Sequence, residues 1–103
     1  MTQDELRDQV VDTLRTIFDP EIPVNIYDMG LIYEIRVDEA FAVHIVMTLT
    51  SPTCPVAESL PPEIRNKVRD MDGVSECTIE LVWEPIWDRM MMSEAARLQL
   101  GFY

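Results

Sequence analysis

The side chains best suited to thiol or soft-metal chemistry in this chain of 103 residues are two cysteines, Cys54 and Cys77. Thiolate is the form that attacks electrophiles and binds soft metals, so a cysteine matters where its surroundings favour ionisation. Cys54 lies in Thr48-Leu49-Thr50-Ser51-Pro52-Thr53-Cys54-Pro55, between an apolar alternating run and the expected start of a helix. The positive end of a helix dipole favours thiolate. Thr48, Thr50, Ser51 and Thr53 add hydroxyl donors that could stabilise it. The alternative is a small residue in a tight turn. Cys77 falls on the apolar side of a later alternating run and reads as core, unless the fold brings it to Cys54 as a second ligand. The pair lacks the CxxC spacing of a zinc or thioredoxin-like site, and two such thiols make no disulfide framework. Reduced thiols in a cytosolic protein are the simplest reading.

Three carboxylates, Asp19, Glu21 and Asp28, share the loop that follows the first helix. They could bind a cation or set the charge around a thiol, although carboxylates suit hard metals and iron–sulfur clusters prefer thiolate. Equally, they could cap turns and face water. His44 is the single histidine. It falls on the polar side of a strand, as a surface histidine usually does, and a lone Cys–His enzyme would require it beside Cys54. Three glycines in all leave no glycine-rich phosphate loop. The stretch Trp83-Glu84-Pro85-Ile86-Trp87-Asp88-Arg89-Met90-Met91-Met92 carries a large apolar load for a loop. It either packs over a sheet or presents a partner or dimer surface at Trp87, Met90 and Met91.

These residues need a scaffold, and the length suits one small domain over 1–103. Thr2 and Glu5 form a capping-box pattern ahead of Leu6, Val10, Leu14 and Ile17, a helical stripe stopped at Asp19-Pro20. Residues 31–37 read as a strand with Leu31, Tyr33, Ile35 and Val37 on one face. A turn at Asp38-Glu39-Ala40 leads to a second strand, 42–49, with Val43, Ile45, Met47 and Leu49 inward. The short connection makes this an antiparallel hairpin. Pro61-Pro62 suggests a short turn near 55–59, then a main helix from about Pro62 to Met71, stopped at Gly73. Residues 74–83 make a third strand with Cys77, Ile79, Leu81 and Trp83 on one face. Ser93 caps a last helix that runs through Leu100 to Gly101. The expected fold is α+β in the order α-β-β-α-β-α, with a three-stranded mixed sheet and helices packed on one face.

Composition limits the partners. Nineteen acidic residues against eight basic ones give a net charge of −11. That disfavours nucleic acid and anionic membrane surfaces, and it permits basic protein partners. No apolar run approaches the roughly 20 residues of a membrane span, and the acidic N-terminus is unlike a secretory signal. The expectation is a soluble cytoplasmic protein.

Three motifs carry a resemblance over nearly the whole chain. They are Asp19-Pro20-Glu21 with Asp28-Met29-Gly30-Leu31-Ile32-Tyr33, then Thr48-x-Thr50-x-x-x-Cys54-Pro55, then Val82-Trp83-Glu84-Pro85-Ile86-Trp87 with Met92-Ser93-Glu94-Ala95-Ala96-Arg97-Leu98. In order and separation they resemble the SufT/PaaD-type iron–sulfur cluster assembly family, whose domain is shared with eukaryotic cytosolic iron–sulfur assembly factors. The complete closing motif is more similar to SufT than to PaaD, although the usual Pro-Pro-Trp reads Pro85-Ile86-Trp87 here. The resemblance implies an accessory factor without catalytic turnover. Cys54 would be the functional thiol, a transient cluster ligand or client-contact group, with Asp19, Glu21, Asp28 and Thr48 around it. It implies no firmly bound cofactor, only an iron–sulfur cluster in transit. Its partners would be iron–sulfur assembly proteins and client apoproteins, and a homodimer would allow two copies to share a cluster. The alternatives are a PaaD-like subunit that supports maturation of an oxygenase complex, and a cluster-free adaptor.

Overall fold

The computed structural model describes residues 1–18, 22–50 and 56–101. The first helix, α1, spans Gln3–Leu14, and the Thr2 hydroxyl accepts the Glu5 N–H at 3.1 Å, as the capping pattern requires. Leu6, Val10 and Leu14 form its buried stripe. The helix stops three residues before Ile17, because the chain tightens there through Ile17 N–H to the Leu14 carbonyl. Ile17 is nevertheless buried, at 1% exposure. It is held by a bridge of Phe18 with Asn25 and by Ile26 N–H donating to the Ile17 carbonyl.

Strands β1 (Ile32–Val37) and β2 (Ala42–Met47) pair antiparallel. Asp38 Oδ1 closes their turn by accepting the N–H groups of Ala40 and Ala42, both at 2.9 Å. Helix α2 (Val56–Arg69) then crosses to β3 (Glu76–Leu81), which pairs parallel with β2 in the sheet order β1-β2-β3. The mixed three-stranded sheet and the α-β-β-α-β-α order are as expected. A short 3-10 turn, Arg89–Met91, precedes α3 (Glu94–Leu100), which Ser93 caps and Gly101 closes in the left-handed conformation.

The structure corrects three local expectations. Pro61 and Pro62 do not delay α2, which runs through both. Leu60, Ile64 and Val68 lie in the core at one-turn spacing, and their burial outweighs the helical bonds the prolines cannot make. The helix also ends at Arg69 rather than Met71. Second, the β1/β2 register shifts between Ile32 and Glu34. The shift takes Tyr33 off the core face that the alternation assigned to it, as bulges re-aim side chains. Third, β3 ends at Leu81, so Trp83 lies outside the sheet and is 40% exposed instead of joining Cys77 inside.

The core lies between the helices and one sheet face. Leu6, Val10, Leu14, Ile35, Val43, Ile45, Met47, Ile64 and Val68 meet there. No helix among the described residues is long and apolar enough to cross a membrane.

Candidate functional site

The segment after β3, residues 83–93, forms a strap over the turn that opens β1. Three donors fix it. Trp87 Nε1–H donates to the Met29 carbonyl at 2.7 Å, Tyr33 Oη–H to the Pro85 carbonyl at 2.7 Å, and Ser93 N–H to the Asp28 carbonyl at 2.8 Å. Gly30 makes the fit possible. Its φ is +79°, and a Cβ there would stand 2.3 Å from the Met91 carbonyl oxygen. Any other residue would be strained and would push the strap away. The Asp28-Met29-Gly30 motif and the closing motif, far apart in sequence, therefore form one unit.

The residues that lead toward Cys54 join this unit. Thr48 is buried, and its N–H donates to the Leu31 carbonyl at 2.9 Å. Burial raises the Tyr33 pKa, and the neighbouring Thr48 side chain partly offsets the rise. Thr50 borders two apolar clefts. One, of about 290 Å³, is lined by Thr48, Leu49, Thr50, Trp83, Ile86 and Trp87. The other, of about 360 Å³, includes Ile22, Met29, Thr50, Trp87 and Met92. Trp87 is common to both and is half-buried, its indole pinned to Met29. Met90 and Ile86 are far more open, at 70% and 80% exposure, with Met91 at 36%.

Asp28 is held within its own loop. Its N–H donates to Asn25 Oδ1 at 2.9 Å, Asn25 Nδ2 donates to Asp28 Oδ2 at 2.8 Å, and Arg15 Nε lies 3.9 Å from Oδ1. The Arg15 guanidinium also rests over the Tyr27 ring, 5.0 Å from its centroid. Asp19, Glu21 and Cys54, the other candidates of the sequence reading, lie outside the described residues.

The remaining candidates stand apart. Cys77 is buried on β3, and burial pushes its thiol up to about 11, so it stays protonated and inert near neutral pH. His44 sits on β2, where its Nδ1 lies 2.6 Å from Thr78 Oγ1 and its Nε2 3.0 Å from Glu80 Oε1. Both ring nitrogens are therefore engaged by neighbours on β3.

Sequence reasoning missed Tyr33 and Ile86 as parts of this region. The phenol handle of Tyr33 inside an apolar face was a signal for the first, and the isoleucine where the closing motif usually has proline was a signal for the second.

Residues 7–81 match the family described as iron–sulfur cluster assembly protein. A Porphyromonas gingivalis protein named Fe-S protein maturation auxiliary factor is 47% identical over 98 residues, covering 95% of this chain and 93% of that one. The Staphylococcus aureus Fe-S protein maturation auxiliary factor SufT is 31% identical over 85 residues, covering 82% of this chain and 97% of its own. A solved structure of a Bacillus anthracis domain of unknown function, DUF59, superposes with a TM-score of 0.90 at 30% identity, covering 98% of this chain and 96% of that one.

Proposed function

This chain belongs to the iron–sulfur cluster assembly protein family, and we propose that Cys54 is the thiol through which it works as an accessory factor in iron–sulfur protein maturation. The observation that carries this reading is the position of Thr50. Four residues before Cys54 in sequence, Thr50 borders both apolar clefts beside Trp87. On the other side, α2 begins at Val56, two residues after Cys54, and the positive end of a helix favours thiolate. A thiol that lies in sequence between a cleft-lining residue and a helix start suits contact with a client apoprotein.

The chain has two cysteines, and Cys77 is walled into the core. An iron–sulfur cluster normally takes four ligands, so a cluster on Cys54 is cargo in transit whose other ligands come from a second copy or a client. In this reading Thr48 and Thr50 supply hydroxyls shortly before Cys54 in the chain, and Asp19, Glu21 and Asp28 are the supporting carboxylates. Trp87, Met90 and Met91 form the surface that assembly proteins and clients approach. The chain does this work in the cytoplasm, where thiols stay reduced. The apolar clefts also favour a second reading, in which Cys54 contacts the client and no cluster rests on the protein.

Two measurements on wild type and Cys54→Ala test this. The first is anaerobic reconstitution with iron and sulfide, read by visible absorption and by iron and sulfide content. The second is the activity of an iron–sulfur enzyme in cells that lack the wild-type gene. A chromophore lost in Cys54→Ala supports carriage through that thiol. No chromophore in either protein, with enzyme activity lost in Cys54→Ala, supports the contact thiol. Full enzyme activity with Cys54→Ala overturns both.

A further inference from the structure

Met90, in the 3-10 turn Arg89–Met91, is 70% exposed. Its thioether sulfur accepts from Arg97 Nη1 at 3.9 Å. Both partners are anchored. The Met90 N–H donates to Asp88 Oδ1 at 2.8 Å. Arg97 stands on α3, whose cap Ser93 donates its N–H to the Asp28 carbonyl at 2.8 Å and whose Ala96 is buried. A thioether is a weak acceptor, and 3.9 Å is long even for sulfur. The same separation suits a sulfoxide, because an oxygen bonded to that sulfur reaches a guanidinium N–H at about 2.8 Å along a bent S–O···N path. The reduced side chain uses the arginine poorly, and the oxidised one would use it well.

The other methionines are placed differently. Met91 is 36% exposed, and the Tyr33 hydroxyl 3.6 Å from its sulfur already donates to the Pro85 carbonyl at 2.7 Å. Met29, Met47 and Met92 are buried. Met1, at 59% exposure, has solvent access comparable to that of Met90 and is the internal reference.

We propose that Met90 is a methionine sulfoxide site, oxidised by hydrogen peroxide and held in its oxidised form by Arg97. The Met90 sulfur attacks one peroxide oxygen, and the S–O bond forms as the O–O bond breaks. Sulfur gives up two electrons and the peroxide is reduced. The departing oxygen takes the proton of the transferred one through solvent and leaves as water. An exposed apolar side chain thereby becomes polar, and the strap becomes less suited to an apolar client contact. That regulatory consequence rests on the reading of Met90 as part of the partner surface; the oxidation chemistry does not.

The test treats the isotope-labelled full chain with limiting hydrogen peroxide and follows it by peptide mass spectrometry, NMR and thermal unfolding. Met90 should be oxidised ahead of Met91 and Met1. Its oxidation should shift the Arg97 side-chain N–H signals and raise Tm by roughly 4 °C. Methionine sulfoxide reductases for both epimers should reverse the two changes, and Met90→Leu should show neither. Met90→Gln puts a carbonyl oxygen where the sulfoxide oxygen would stand, so it should reproduce the signal shift and the higher Tm without peroxide. Oxidation of Met1 before Met90 would overturn the proposal, as would a Met90 sulfoxide that lowers Tm or leaves the Arg97 signals in place. The activity of an iron–sulfur enzyme in cells tests the consequence separately, and Met90→Gln should depress it further than Met90→Leu. Equal activity of the two, with the oxidation order and the Tm rise intact, would uphold the sulfoxide site and remove Met90 from the partner surface.

Discussion

The helix-backed sheet and the strap are both apolar, but they are held in different ways. The sheet buries Ile45, Met47, Ile64 and Val68 almost completely, and its cohesion is spread over many contacts, none of which is individually decisive in direction. The strap leaves Ile86 and Met90 in water and is fixed by three directed hydrogen bonds to Met29, Asp28 and Tyr33, plus one close approach at Gly30. Distributed packing yields stability. A few directed contacts yield a surface whose apolar side chains remain available and whose shape depends on single atoms.

Substitutions can break this contrast or sharpen it. The largest loss is expected in the sheet region, where Ile64→Ala should lower unfolding free energy by about 4 kcal/mol, read from the urea midpoint. Gly30→Ala should follow at about 3 kcal/mol, from left-handed strain plus overlap with Met91. It should also quench or shift the strap's tryptophan fluorescence, which Ile64→Ala at matched folded fraction should not. If Gly30→Ala is neutral, the strap is not seated as described.

Cys77 gives the sheet region a pH signature. Its thiol moves from an ordinary 9.0 to about 11 in the fold. Below pH 9 both states hold the proton, so the contribution is fully present. As pH rises through 9 toward 11 the unfolded chain ionises first, and about 2–3 kcal/mol of stability should be lost across that window. Subtracting the pH–stability curve of Cys77→Ala isolates this loss, and identical slopes in the two proteins would contradict it.

Trp87→Phe keeps the ring and removes the donor to Met29, leaving that carbonyl unpaired. A cost of about 1–2 kcal/mol is expected, together with faster amide hydrogen exchange confined to the strap. The smallest effect on stability should come from Ile86→Asp, within about 0.5 kcal/mol by thermal unfolding because the side chain faces water. Client maturation should nevertheless fall. Unchanged maturation would mean that the exposed strap residues are not used.

Much of the framework was legible in the residues themselves. Capping at Thr2, the one-turn spacing of Leu6, Val10 and Leu14, and the alternation of Val43, Ile45 and Met47 are local patterns, and local geometry is enough to read them. The three motifs and the family they point to were legible for the same reason. The continuity of α2 through Pro61-Pro62 was not, because burial of Leu60 and Ile64 overrides a local preference that is all the sequence displays. Tyr33 was misplaced because a register shift between strands is a property of the pair, invisible in either strand alone.

By itself, the sequence determined the order of elements, the acidic net charge, the presence of two cysteines and the membership in a family. Only the tertiary structure decided that Asp28-Met29-Gly30 and Trp87–Ser93 make one unit, that Trp83 stands outside while Cys77 stays inside, and that Arg97 holds an unsatisfied donor beside exposed Met90. The physical reason is range. Periodicity and capping act over a turn or two of chain, whereas a hydrogen bond from Trp87 to Met29 spans 58 positions and exists only once the sheet has brought its two ends together.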